Sequence, residues 1–228
     1  EPDALYQVAK LLEEDPELDF IYTDSDLTDA DGMEFHSPLY KTGWAQETML
    51  SANYINHLSV IRRKCLIEAG KWRAQMDGAQ DWDLFFRVSE RTNKIASISR
   101  VLYHWRTAAS STASSMETKP YARMAQLKAI QEHLDRTGQE GMVRWEEDAG
   151  CFRVLWKEQP VYQILHYGEK REENVQGERV WIFCRQGVQL TKEGADELAA
   201  FALQPEIAFV MPKLLFSDGT IKSVGAGA

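Results

Sequence analysis

Two stretches of this chain, residues 1–32 and 191–219, follow one plan. Each has a helix-patterned run, then Pro-Glu and an apolar residue, then a strand-like run, then a loop closed by Asp-Gly. Pro16 lies 16 positions before Gly32, and Pro205 lies 14 before Gly219, so the second loop is two residues shorter. A repeated αβ unit points to two related α/β domains in tandem, and a length of 228 residues accommodates two small domains as readily as one large one. Chance likeness of two helix–strand units is the plainer alternative.

Composition removes several function classes. With 26 Lys and Arg against 35 Asp and Glu, the net charge of −9 gives no general attraction to nucleic acid or anionic lipid. Hydrophobic residues at 44% and charged residues at 27% are globular values and argue against a disordered or fibrous chain. Cys65, Cys151 and Cys184 are widely spaced, odd in number and without metal-ligand spacing, as expected of reduced thiols in a cytosolic protein. No run approaches the 18 or more apolar residues of a transmembrane segment, and EPDALYQVAK does not read as a signal peptide.

The coarse pattern is alternating. Leu5, Val8, Ala9, Leu11 and Leu12 form a helical stripe that Asp15-Pro16 stops. LDFIYT, Leu18 to Thr23, reads as a buried strand, with DSDLTDADG as an acidic loop after it. Val60 to Ala69 reads as a strand entering a short helix that Gly70 ends. DWDLFFRVSER predicts an amphipathic helix with Leu84, Phe85 and Val88 inward and Asp83, Arg87 and Glu90 outward. Ile95 to Trp105 alternates like a strand, Thr107 to Ser115 is a small polar loop, and a long helix runs from Pro120 to Arg136 before Gly138. Further on, Phe152–Trp156, Val161–Leu165 and Val180–Phe183 read as strands around the charged run EKREENVQGER, and Thr191 caps a helix reaching Leu203.

Three groups of residues could carry chemistry. Asp24, Asp26, Asp29 and Asp31 gather after a strand, where ligands of α/β sheets collect. Placing Gly32 at the sixth position of an EF-hand loop puts Leu27 at the first, which excludes that motif. An Asp-x-Asp pair holding Mg²⁺ or Mn²⁺ and a polar loop with self-capping Asp side chains remain equal readings. In the second group, Gly78 and Gln80 precede Asp81 at a helix start, where backbone N–H groups and the helix dipole favour an ionised, oriented carboxylate. Such a group suits a general base, but an N-cap Asp is the plainer reading. In the third, His104, Trp105 and Arg106 leave a strand for the Ser-rich run, where imidazole and guanidinium could meet a metal and a phosphate. A lone structural His beside a core Trp is the plainer reading. G-x-G-x-x-G, G-x-x-x-x-G-K-[ST] and G-x-S-x-G are all missing, so dinucleotide, P-loop and hydrolase-elbow readings fall away. A metal-dependent phosphohydrolase built on Asp24 and Asp26 lacks a recognisable nucleophile and lysine arrangement.

Taken in order, PDALYQVAKLLEEDPELDFIYTDSD, SANYINHLSVIRR, GAQDWDLFFRV, VLYHWR with Ser111-Thr112-Ala113, and Lys119-Pro120-Tyr121-Ala122 resemble the bacterial family-2 glycosyltransferases. These are inverting GT-A-fold enzymes of surface polysaccharide synthesis. The resemblance covers residues 1 to about 136 and implies a GT-A-like α/β fold, a mixed sheet flanked by helices. It implies transfer of a sugar, with inversion, from a nucleotide-sugar donor to a hydroxyl of a glycan or lipid-linked glycan acceptor. A divalent cation, Mg²⁺ or Mn²⁺, would neutralise the leaving diphosphate. Asp81 matches the family's base, His104 and Arg106 a strand-end motif near the diphosphate, and Trp44, Asn53 and His57 the acceptor side. The family's metal-binding Asp-x-Asp aligns upstream of residue 1, which leaves Asp24 and Asp26 as a secondary acidic loop. A cytoplasmic place, or one at the inner face of the membrane, follows from the same resemblance.

On this registration residues 1–140 are the acceptor and base half of a transferase domain, and residues 141–228 are a partial, degenerate second copy. Cys184-Arg185-Gln186-Gly187 replaces the expected acidic motif there, and an Arg repels a cation. A non-catalytic glycan-binding or scaffolding remnant is the alternative function.

Overall fold

The computed structural model describes residues 1–107, 120–157, 160–166 and 180–223. Ala108 to Ser115, Lys119 and the charged run 169–179 lie outside the described residues. Two compact units emerge, one of residues 1–139 with 143–154 and one of 140–142 with 155–228.

The first unit runs α1 (Ala4–Glu14), β1 (Phe20–Thr28), β2 (Phe35–Leu39), α2 (Gln46–Met49), β3 (Ser59–Ile61), α3 (Arg63–Glu68), a 3₁₀ turn at Ala74–Met76, α4 (Gln80–Ser89), β4 (Ile95–Arg106) and α5 (Pro120–Thr137). A two-stranded hairpin of β5 (Gly141–Glu146) and β6 (Cys151–Trp156) follows. Strand β1 is the axis of the sheet. Parallel β4 pairs with it from Phe20↔Ile95 to Thr28↔Arg106. Its other edge takes two antiparallel partners, β3 at Phe20 to Tyr22 and β2 at Ser25 to Thr28. The sheet is therefore mixed.

Alternation along β1 sends its side chains to two helical layers. Ile21 joins Val8 and Leu18, with Leu11, Leu12, Val60, Ala96 and Ile98 packed around them, so α1 covers one face. Phe20 and Tyr22 turn to the other face, where the Phe20 ring lies 5.1 Å from that of Phe85 in α4. Phe20, Tyr22 and Phe86 are fully buried, each contributing about 1.5–3 kcal/mol of apolar transfer. The mixed α/β class, a sheet flanked by helices, is as expected and consistent with a GT-A-like arrangement.

Several local expectations are corrected. The strand predicted to stop at Thr23 continues to Thr28, because β4 and β2 supply hydrogen-bond partners on both edges. Asp24 and Asp26 thus sit in a strand, not in an acidic loop. In α1 the buried positions are Ala4 and Val8, while Leu5 is exposed. The largest departure is in α4, where Asp83 and Arg87 are buried, not outward. Asp83 pairs with Arg87 at 2.7 Å and with Arg73, and Arg73 reaches Glu132 of α5 at 2.7 Å. Glu90 is also engaged, by His133 at 2.7 Å and Arg136 at 2.7 Å.

The second unit holds β7 (Tyr162–His166) parallel to β8 (Val180–Cys184), then α6 (Lys192–Ala202) and a short pair, β9 (Leu214–Leu215) with β10 (Ile221–Ser223). Thr191 Oγ1 accepts from the Gly194 N–H at 3.1 Å, so it caps α6 as expected. The repeated plan has a partial structural counterpart. In both copies a helix leads to a strand pair that turns at Asp-Gly, with left-handed Gly32 (φ 74°) and Gly219 (φ 83°) at the turn. The strand-like run after Pro205 forms no ladder before Leu214. All three cysteines are free thiols.

Candidate functional site

A cavity of about 490 Å³ opens in the first unit where α4 begins. Four segments meet there. The loop after α2 brings Asn53, Asn56 and His57, α4 brings Asp81 and Trp82, β4 brings Trp105, and α5 brings Ala122, Arg123 and Gln126. The β5–β6 hairpin closes the wall with Trp145, Gly150 and Phe152.

The start of α4 is shaped by close packing. Gly78 has φ +88°, and a Cβ there would come within 2.8 Å of the Ala122 backbone and side chain. Only glycine lets the chain adopt this left-handed turn against α5. Gln80 folds back so that its Oε1 accepts from the Gly78 N–H at 2.9 Å. Ala79 holds the N-cap position, so Asp81 is not the cap but stands in the first turn. Its Oδ1 accepts from the backbone N–H of Trp82 at 2.8 Å. Trp82 anchors the turn from below, its indole donating to Met49 O at 3.0 Å.

His57 lies between Asp81 and β4. Its ring stacks on Tyr103 with centroids 4.8 Å apart and meets Trp105 edge-on at 4.9 Å. Burial is the main cause that holds its pKa below the ordinary 6.5; the Asp81 charge works against this and the Lys41 charge with it. Lys41, a residue that no sequence motif singles out, supports this segment. Its ammonium donates to the carbonyls of Asn56, at 2.6 Å, and His57. Burial pushes Lys41 down to about 8, against the attraction of Asp24.

The sign of the His57 shift gives a test. Asp81→Asn removes a neighbouring charge that favours imidazolium, so the His57 titration midpoint should fall further below 6.5. NMR titration of the ring protons reads this directly, and an unchanged or raised midpoint would contradict the coupling.

The remaining candidates stand elsewhere. Trp44 precedes α2 and is outside the cavity wall; Tyr54 fixes its surroundings by donating to Gly43 O at 3.0 Å and accepting from Ala45 N–H at 2.8 Å. Strand alternation sends Tyr103 and Trp105 toward His57, but His104 and Arg106 to the opposite face. His104 Nδ1 pairs with Asp26 Oδ1 at 2.5 Å and its Nε2 with Glu1 at 2.8 Å. Burial opposes the His104 charge, yet these two carboxylates raise its pKa above the usual value. The Arg106 guanidinium lies beside Gly32, where a Cβ would meet it at 3.1 Å.

The Asp24 and Asp26 carboxylates are not placed as a metal pair. Asp24 is buried and accepts from the Lys41 N–H at 2.8 Å, while Asp26 is taken by His104. Among the described residues no group of three His, Cys, Asp or Glu side chains is placed to hold a metal ion. The self-capping alternative applies to Asp29, whose Oδ1 accepts from the N–H groups of Met33 (2.7 Å) and Glu34 (3.2 Å).

No family model matches the chain. Over 159 residues, 68% of its length, it is 37% identical to the uncharacterized protein y4gI of Sinorhizobium fredii, of which that stretch is 17%. Over 142 residues, 62% of its length, it is 38% identical to the O-antigen biosynthesis protein RfbC of Myxococcus xanthus, of which that stretch is 11%. The chain thus spans a minor part of each of these relatives. Among the described residues no helix is long and apolar enough to cross a membrane.

Proposed function

We propose that this chain takes part in surface polysaccharide synthesis as the acceptor and base portion of an inverting glycosyltransferase. The observation that carries the reading is Asp81, a first-turn carboxylate lining a cavity beside His57 and Asn53. The likeness to the O-antigen biosynthesis protein supports the polysaccharide context.

In this reading an acceptor hydroxyl enters the cavity and gives its proton to Asp81 as it attacks the anomeric carbon of a nucleotide-sugar, whose bond to the diphosphate breaks as the nucleoside diphosphate leaves. The Trp82 N–H fixes the carboxylate, and neutral His57 with Trp105 shapes the approach. A divalent cation supplies charge neutralisation at the diphosphate when bound. None of the described residues is assigned to it. Residues 155–228, with 140–142, serve as a second, non-catalytic unit, and the protein works in the cytoplasm or at the inner membrane face.

The test is an assay of the full-length protein with a panel of nucleotide-sugars and glycan acceptors. The expected product carries an inverted anomeric centre, visible by NMR. Hydrolysis without transfer, or a retained anomeric centre, refutes the reading. Glycan binding with no turnover on any donor favours the non-catalytic module, for which the same cavity would serve.

A further inference from the structure

Three of the residues lining the Asp81 cavity carry a buried polar atom with no hydrogen-bond partner among the described residues. They are Asn53 (Oδ1), Gln126 (Oε1) and Trp145 (Nε1). Buried polar atoms are paired in the great majority of cases, because leaving one unpaired is costly. Three residues bearing such atoms line one cavity, which points to a ligand, and the types of atom define its chemistry. The two amide oxygens need donors, and the indole N–H needs an acceptor.

A hydroxyl group is both. The diphosphate of a nucleotide-sugar offers only acceptors at neutral pH, which suits neither amide oxygen and would face the Asp81 carboxylate in the same cavity. Among the described residues the one cation in the wall, Arg123, is already engaged by Glu147 at 2.8 Å and lies 4.5 Å from the centre of the Trp145 ring. Trp105, Trp145 and Phe152 give the wall apolar surface that suits the C–H face of a sugar ring. The hairpin bearing Trp145 is fixed to the site, since Phe152 N–H donates to Ser51 O at 3.0 Å and the Phe152 ring packs against Trp82 at 5.7 Å and Trp145 at 5.0 Å.

We propose that Asn53, Gln126 and Trp145 form a hexopyranose subsite that selects the acceptor sugar by the pattern of its hydroxyls. Its place in transfer rests on the glycosyltransferase reading above; its sugar binding does not. The specificity is set by the loop after α2, α5 and the β5–β6 hairpin, which share one cavity with Asp81.

The test uses the 228-residue chain with ¹⁵N-labelled tryptophan, titrated with methyl glycosides of gluco, galacto and manno configuration in both anomers, and with UDP as a control. One configuration should shift the Trp145 indole N–H resonance. Trp145→Phe and Gln126→Leu should each weaken that binding about five- to tenfold, the loss of one hydrogen bond. Gln126→Leu should also leave Tm at or above that of the wild type, because it removes an unpaired buried group. A fall in Tm, unchanged affinity in both variants, or a Trp145 response to UDP alone overturns the subsite. The two readings fail separately. Glycoside binding by a protein without transferase activity leaves the subsite standing, whereas transferase activity with an acceptor KM insensitive to both substitutions removes the subsite alone.

Discussion

Asp81→Asn in the full-length protein should lower the transfer rate by roughly 10²–10⁴-fold, the range expected for losing a general base. The substitution keeps the size of the side chain and its acceptor oxygen, so the bond from the Trp82 N–H can persist. What it loses is the capacity to take up a proton. Donor binding should change little, and steady-state kinetics should show the loss in kcat rather than in the donor KM. Retained turnover would remove Asp81 from the base role and leave the cavity as a binding site.

The second large effect concerns stability. Asp83→Ala should cost about 3–5 kcal/mol, the usual penalty for stripping one partner from a buried ion pair. Asp83 is fully buried and binds Arg87 through its Nε (3.0 Å) and Nη2 (2.7 Å), and also Arg73. Those guanidiniums in turn hold the carbonyls of Ala69 and Lys71 and the Glu132 carboxylate of α5. Removing the carboxylate leaves Arg87 buried beside no counter-charge. The loss is a large share of the 5–15 kcal/mol that a domain of this kind commands.

Burial works against the Asp83 charge, but the two arginines outweigh it and hold the carboxyl below the ordinary carboxylate range. A lowered folded value means that the contribution is present above the unfolded pKa and is lost as pH falls through the folded one. Urea unfolding at pH 7 and in acid should show the wild type losing this contribution below about pH 4 and the variant lacking it. A difference under 1 kcal/mol at pH 7 would contradict the role of the network.

Asp83 also shows where sequence reading stops. In DWDLFFRVSER the charged positions 83, 87 and 90 mark a solvated helical face, since charges are normally outside. Here a partner distant in sequence, Arg73, and the carbonyl ends of the 69–71 turn neutralise that face, so it packs inward. Asp24 and Asp26 teach the same lesson. Their composition reads as a loop, but pairing on both edges of β1 supplies what an extended strand requires. His104, Trp105 and Arg106 are adjacent in sequence, yet strand alternation places Trp105 in the cavity and turns the other two away.

Local pattern alone determined the helices α1, α4, α5 and α6, most of the strands, the Asp-Gly turns and the helix start that carries Asp81. These follow from periodicity, capping and backbone preference within a few residues. Only the tertiary structure decided which candidates share a site. Asn53, His57, Asp81 and Trp105 come together, joined by Gln126 and Trp145, because sheet pairing and helix packing close loops of 20 to more than 60 residues. The support from Lys41, the inward turn of Asp83 and the unpaired amide and indole groups depend on such distant contacts. The energy of each lies in the partner it meets, and the sequence names that partner nowhere near it.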